Sequence, residues 1–211
     1  MARPPVFDTE INRAPALRIS NVVRGRVNED GRVRYLVDPD GKGDERAIPE
    51  DVVLKRWRRR VMTGHTFHGC RLGPNLWRAI ANAFGTDAQA ISRMNTKQID
   101  DGRENLHRDR NKHFLWLPDT STIMEVFGFL GPVRLQTVLD RHLHPDRNSN
   151  YGTPDLFLYA RKSGTNEPAF FRLVEVKKPK ERISKDQHEE IEFLRSIGVP
   201  ARVLRLIERQ D

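Results

Sequence analysis

The sequence predicts an α/β protein whose main layer lies toward the C-terminal side, with a small β-containing lobe before it, and three observations predict that class. PDLFLYA (154–160) and AFFRLVEVK (169–177) are rich in aromatic and branched residues and are separated by the polar RKSGTNEP, so they read as an antiparallel hairpin. A helical stretch follows, with Ser184 as N-cap, Ile191 and Leu194 on its apolar face and Gly198 as its stop; the strand ARVLRL closes the layer. Near the other end, ALRISNVVRGRV and GRVRYLVDPDG are β-rich runs punctuated by turn residues, the pattern of a small sheet.

The elements between these follow in order. The first fifteen residues, with prolines at 4, 5 and 15, read as an extended arm that belongs with the β lobe, residues 1–62. That lobe ends in PEDVVLKRWRRRVM, where Pro49 and two acids start a helix and cations finish it, as the macrodipole prefers. Within it Lys55, Arg56, Trp57 and Arg58 are candidates to grip phosphate and stack on a base, beside the plainer reading of a solvated helix end. Residues 63–118 read as a helical segment and a polar loop. Leu76, Ile80 and Phe84 share a face, Gly85 breaks the chain, and AQAISRM resumes with Gln89, Ser92 and Arg93 outward, the outline of a helix-turn-helix. DDGRENLHRDRNKH (100–113) has almost no apolar anchor and reads as a loop. From 119 onward Asp119 or Thr120 caps an apolar helix carrying Glu125, and GPVRLQTVLDRHL follows as another helix with Val133, Val138 and Leu139 toward the core.

Charge and composition narrow the function. Lys and Arg number 37 against 29 Asp and Glu, a formal charge of +8 in 211 residues, which favours a polyanionic partner. The single cysteine, Cys70, excludes an internal disulfide and fits a reducing compartment. No apolar run is long enough to cross a membrane and no leader precedes the first elements, so the expectation is a cytoplasmic protein, or one exported without a signal peptide. His65, His68 and Cys70 lie close, yet no CxxC or HExxH accompanies them, which disfavours zinc.

The chemistry concentrates in the hairpin. Side chains alternate along a strand, so Glu175 and Lys177 share one face, and antiparallel pairing brings Asp155 to the same end. Two carboxylates with the main-chain carbonyl of Val176 form a hard-oxygen set suited to Mg²⁺ or Mn²⁺ and a substrate phosphate. Such a cation polarises a phosphoryl oxygen, and the ammonium offsets developing charge, which suits phosphodiester hydrolysis. Taken alone, the triad is more often a solvent-facing ion pair and a turn aspartate.

Further residues select between these. Gly152, Pro154-Asp155-Leu156, Leu173 to Lys177, Pro179, Ile183-Ser184, Gln187, Leu194, Gly198 and the final strand together resemble the virus-type replication-repair nuclease (VRR-NUC) domain of the PD-(D/E)xK nuclease superfamily. RHLHPDRNSNYGTPDL after Gly131-Pro132 is most similar to the Fanconi-associated nuclease type. The resemblance covers about 75 residues, and its combined pattern is far more specific than Glu-Val-Lys alone. It implies a restriction-endonuclease-like core, a mixed sheet flanked by helices, within a nuclease domain spanning 119–211. It implies metal-dependent cleavage of branched or flapped DNA, with Asp155 and Glu175 on Mg²⁺ or Mn²⁺, Lys177 aiding the nucleophile and Gln187 on the helix beside the site. The family supplies a further glutamate from an earlier helix, for which Glu125 is the candidate, whereas GCRLGPNLW (69–77) carries no acid. Arg141, Arg147 and Lys178 are the candidate DNA contacts nearest the hairpin. Two other function classes share the basic charge: a helix-turn-helix protein that binds DNA without cutting it, and a nuclease toxin with an immunity partner. A homodimer is the expectation only if the enzyme cuts symmetric junctions, and a repair partner only if it acts in repair.

Overall fold

The computed structural model describes residues 22–27, 32–38, 45–112, 114–144 and 152–208. The N-terminal arm and the segment containing Arg147 lie outside these residues. At the centre is a four-stranded mixed sheet in the order β5-β6-β7-β8. Its strands are β5 (His65–Arg71), β6 (Leu156–Lys162), β7 (Pro168–Lys177) and β8 (Ala201–Arg205). β5, β6 and β7 run antiparallel to one another, and β8 lies parallel to β7. The expected α/β class, a mixed sheet flanked by helices, is what the chain forms.

Side-chain alternation gives the sheet two apolar faces, and each receives a separate core. Phe157, Leu173, Ala201 and Val203 point toward one core, and Leu156, Leu158, Val174, Val176 and Leu204 toward the other. The first face is covered by α2 (Leu76–Phe84), α4 (Thr96–Arg108), α5 (Thr120–Leu143) and α6 (Lys185–Ser196). The second is covered by α1 (Pro49–Arg58) and by the small lobe: β1 (Val22–Val23), β2 (Gly25–Val27), β3 (Val33–Leu36) and β4 (Arg46–Ala47). β2, β3 and β4 form an antiparallel sheet, as the alternating runs predict, and β1 pairs in parallel with β9 (Ile207–Glu208).

Four sequence expectations are corrected here. HTFHGCR is the edge strand β5 and not part of a helical segment: Phe67 is buried, His68 stacks on Tyr159, and a Cβ at Gly69 would sit 2.8 Å from a Leu158 methyl, so the strands touch closely. The polar stretch after Asp100 is helical. α4 is started by a reciprocal Asn95–Gln98 capping box and needs only Ile99, Gly102 and Leu106 to pack, with Lys97–Asp101 and Glu104–Arg108 ion pairs on its wet side. Gly102 is what permits that packing, because a Cβ there would lie 2.5 Å from the Phe84 ring. α3 (Ala88–Ile91) is a single turn capped by Asp87, too short to read a groove although Gln89, Ser92 and Arg93 are exposed. Val133 is 78 % exposed, because Gly131 (φ 69°) and Pro132 break α5 and turn the next residue outward; Val138 and Leu139 are buried as expected.

Trp57 is also corrected from a base-stacking residue to a core residue. It is 3 % exposed, stands edge-on to Phe67 at 5.0 Å, and donates its indole N–H to the His68 carbonyl at 2.7 Å. Aromatic area that fills a core is lost to any ligand. Trp57→Ala is expected to cost about 3–5 kcal/mol of unfolding free energy in a denaturant titration. Trp57→Phe should recover most of the packing but not the hydrogen bond.

Candidate active site

The pairing Leu156↔Val174 places Asp155 and Glu175 opposite each other, one step further toward the same end of the hairpin. Asp155 is fixed by its own backbone and side chain. Its carbonyl accepts the Leu72 amide at 2.7 Å, and its Oδ2 accepts the Val176 amide at 2.7 Å. Glu175 is 4 % exposed, and its Oε1 accepts from Lys177 Nζ at 3.0 Å and from Gln187 Nε2 at 2.5 Å. Gln187 reaches it because Ser184 caps α6 and Gln187 closes the capping box, which orients the first turn toward the strand end. Lys177, also 4 % exposed, is shared with Glu181 at 3.3 Å.

Electrostatics set the site apart from an ordinary ion pair. Burial pushes the Glu175 carboxyl up to about 7, with the charge of Asp155 adding to it. Burial likewise raises Asp155 to about 6; the Val176 amide works against this, and the charge of Glu50 adds to it. Desolvation opposes the charge on Lys177, but the hydrogen bond and attraction of Glu175, with Glu181 behind them, win and raise it. One ammonium therefore faces more negative charge than it neutralises.

Two acids that the sequence reading passed over stand here. Glu50, at the N-terminal turn of α1, acts through its charge on Asp155, and Glu181 acts on both Asp155 and Glu175. Pro49-Glu50-Asp51 reads as a helix start and nothing more until the sheet is assembled beneath it. Glu125, by contrast, is corrected: it pairs with Arg161 Nη2 at 2.5 Å, at the other end of β6. Six residues of strand, roughly 20 Å at 3.3 Å per residue, separate Arg161 from Asp155.

The basic candidates are placed unevenly. Arg56 donates to the carbonyls of Val22, Leu36 and Val37 and so staples the small lobe to α1. Arg58 donates to the Gly69 carbonyl, and Lys55 pairs with Glu45. Arg141 lies over the Phe193 ring at 4.1 Å and pairs with the fully buried Glu190, which also takes His142 Nε2 at 2.7 Å. Lys178 is exposed at the end of β7. Arg147 falls outside the described residues. Among the described residues no group of three or more His, Cys, Asp or Glu side chains gathers as a metal cage, so His65, His68 and Cys70 form none. No described helix is long and apolar enough to cross a membrane.

Acids and a lysine at the joined ends of two antiparallel strands, in a mixed sheet flanked by helices, define a nuclease of the PD-(D/E)xK class. The VRR-NUC domain matches residues 97–206, more than half of the chain, and the protein belongs to the VRR-NUC family. Among solved structures the chain is similar to two crystal structures of paFAN1, one bound to 2-nucleotide and one to 1-nucleotide 5′-flap DNA with a gap. Each is 18% identical, with a TM-score of 0.46, and the matches cover 77% and 80% of this chain. They take in 35% and 36% of those chains, so this protein spans about a third of their length. No curated protein matches the sequence.

The raised carboxyls have a stability consequence of fixed sign. A folded-state pKa above the unfolded value means that the folded form favours the proton, so the associated stability is present below about pH 4 and lost as pH rises through about 6 and 7. Asp155→Asn is therefore expected to melt several degrees above wild type at pH 8 in a chelator, since 1 kcal/mol is worth roughly 2–4 °C in a chain of this size. The gap should close toward pH 5 in thermal melts; a gap independent of pH would contradict the assignment.

Proposed function

We propose that the protein is a divalent-metal-dependent deoxyribonuclease that hydrolyses phosphodiester bonds in branched or flapped DNA. The observation that carries this reading is the half-buried Asp155 set against the buried Glu175, two mutually repelling carboxyls beside Lys177. Buried carboxylates raised in this way are short of positive charge, and the donor set fits Mg²⁺ or Mn²⁺: Asp155, Glu175 and the Val176 carbonyl would hold it, leaving positions for water and substrate phosphate. When bound, the cation supplies Lewis-acid polarisation of the phosphoryl oxygen and makes water more acidic.

The chain's own residues do the rest. Lys177 presents an ammonium whose raised pKa keeps it charged near neutral pH, where it orients the attacking water and offsets charge developing on the phosphate. Gln187 and Lys177 fix the Glu175 carboxylate from two sides, and Glu181 in turn fixes Lys177. Glu50, whose charge reaches Asp155 although it completes no three-acid cage with Asp155 and Glu175, is the candidate for the upstream acid that this family draws from an earlier helix, a role the sequence pointed toward Glu125. On this reading the catalytic unit reaches back to α1, and the small lobe, stapled to that helix by Arg56, holds Glu50 in place. Lys178, exposed just past the end of β7, is a cation placed to meet DNA near the site. The VRR-NUC family membership favours structured DNA as substrate.

Fluorescent single-stranded, duplex, 5′-flap and four-way-junction DNA incubated with Mg²⁺ or Mn²⁺ tests the proposal. Metal-dependent cutting should fall roughly 10²–10³-fold in Asp155→Ala and Lys177→Ala, the scale of losing a charge-stabilising group. Binding without cutting in every metal would sink it. Glu50→Gln should raise the Mg²⁺ concentration for half-maximal activity by about 10–100-fold, the range seen when a ligand's partner is removed, whereas Glu125→Gln should leave it unchanged.

A further inference from the structure

We propose that Trp116 is a nucleobase-stacking platform beside the catalytic carboxylates, a role that rests on the nuclease reading above. The chain has three tryptophans; Trp57 and Trp77 are 3 % and 0 % exposed, and Trp116 is 47 % exposed. Its neighbours Leu115 and Leu117 are 4 % and 1 % exposed and anchor this extended segment in the helical core, so the residue between them is held outward.

The ring lies against Gly73. A Cβ there would come within 3.0 Å of Trp116 Cε3, so the absence of a side chain at Gly73 is what lets the indole settle on the backbone. That backbone belongs to the site. Leu72, the residue before Gly73, donates its amide to the Asp155 carbonyl, and Arg71 pairs in register with Leu156. One Cα step of about 3.8 Å and one hydrogen bond separate the glycine under the indole from the backbone of Asp155.

A half-exposed indole costs free energy in water, and its surroundings specify what covers it. The occupant must tolerate a phosphodiester next to Asp155 and Glu175 while offering an aromatic face. Unpaired nucleobases do both, and their stacking on aromatic side chains is indifferent to sequence. Charge agrees: the chain carries +8, and Arg71 on the same turn is half-exposed and only loosely held, 4.0 Å from Asp51, which leaves it to meet a flanking phosphate. A protein segment docking on the indole would explain its exposure but not its place against the turn that holds Asp155.

The full chain in a chelator, titrated with 5′-flap DNA, tests this without cleavage. Because Trp57 and Trp77 are buried, a base on Trp116 should quench the red-shifted part of the intrinsic fluorescence, and Trp116→Phe should lose the signal while keeping affinity. Trp116→Ala should bind roughly tenfold to a hundredfold more weakly, and with metal it should raise KM at little-changed kcat. An abasic residue at one flap position should weaken wild type by the same factor and add nothing to Trp116→Ala. Unchanged fluorescence on saturation, or a Trp116→Ala defect that no abasic position reproduces, would overturn the platform in favour of a protein-docking or purely structural role. The nuclease reading fails separately: position-specific quenching with no cutting in any metal would keep the platform and remove the enzyme.

Discussion

Everything at the site depends on the register of one hairpin. With Leu156 paired to Val174, Asp155 and Glu175 meet; a slip by one residue would send Glu175 and Lys177 to the α1 face and bring Val176 beneath α6. Both faces of the sheet are buried, so such a slip would exchange apolar side chains for charged ones in two cores at once. The Asp155 carboxylate also locks the register it depends on, because it accepts the amide of Val176, the residue after Glu175. Fold stability and the geometry of the candidate site are the same constraint.

The enclosure that fixes these groups also makes them costly. Water is excluded from Glu175 and Lys177, burial raises the Asp155 and Glu175 carboxyls, and the charges of Glu50, Asp155 and Glu181 add to it against the attraction of Lys177. A cation bound there would relieve this excess negative charge. On the proposed function, pre-organisation and affinity for a divalent ion would come from the same unfavourable field. Gln187 contributes a neutral donor to Glu175, which orients the carboxylate without adding to the charge balance.

Local patterns in the sequence disclosed the C-terminal half. The alternation in β6 and β7, the Ser184 cap and the Gly198 stop are short-range signals; the alternation brings Asp155, Glu175 and Lys177 to one end of the hairpin, while Gln187 was carried by the family resemblance. What escaped depends on long-range packing. β5 reads as a histidine-rich curiosity until its pairing with β6 gives its alternation a purpose, and α4 reads as loop because three buried positions suffice when α2 and α5 already stand ready. Glu50 looks like a helix-dipole residue, and only the docking of α1 on the sheet brings its charge to bear on Asp155. KRWRRR was misread for a related reason: cations and an aromatic suggest phosphate and base, yet Arg56 and Trp57 find carbonyls and a core inside the protein.

β1 against β9 joins strands at opposite ends of the described chain, and β8 enters the sheet only after α6. Loop closure on that scale comes late in folding, because the entropy of the intervening chain opposes it until most other contacts exist. During synthesis Glu50 emerges long before the strand bearing Asp155, and the parallel edge that flanks Glu175 emerges later still. Asp155, Glu175 and Glu50 can therefore come together only after almost all of the described chain has left the ribosome. On the proposed function, a nascent chain of this kind has no complete cutting site to turn on the nucleic acids around it.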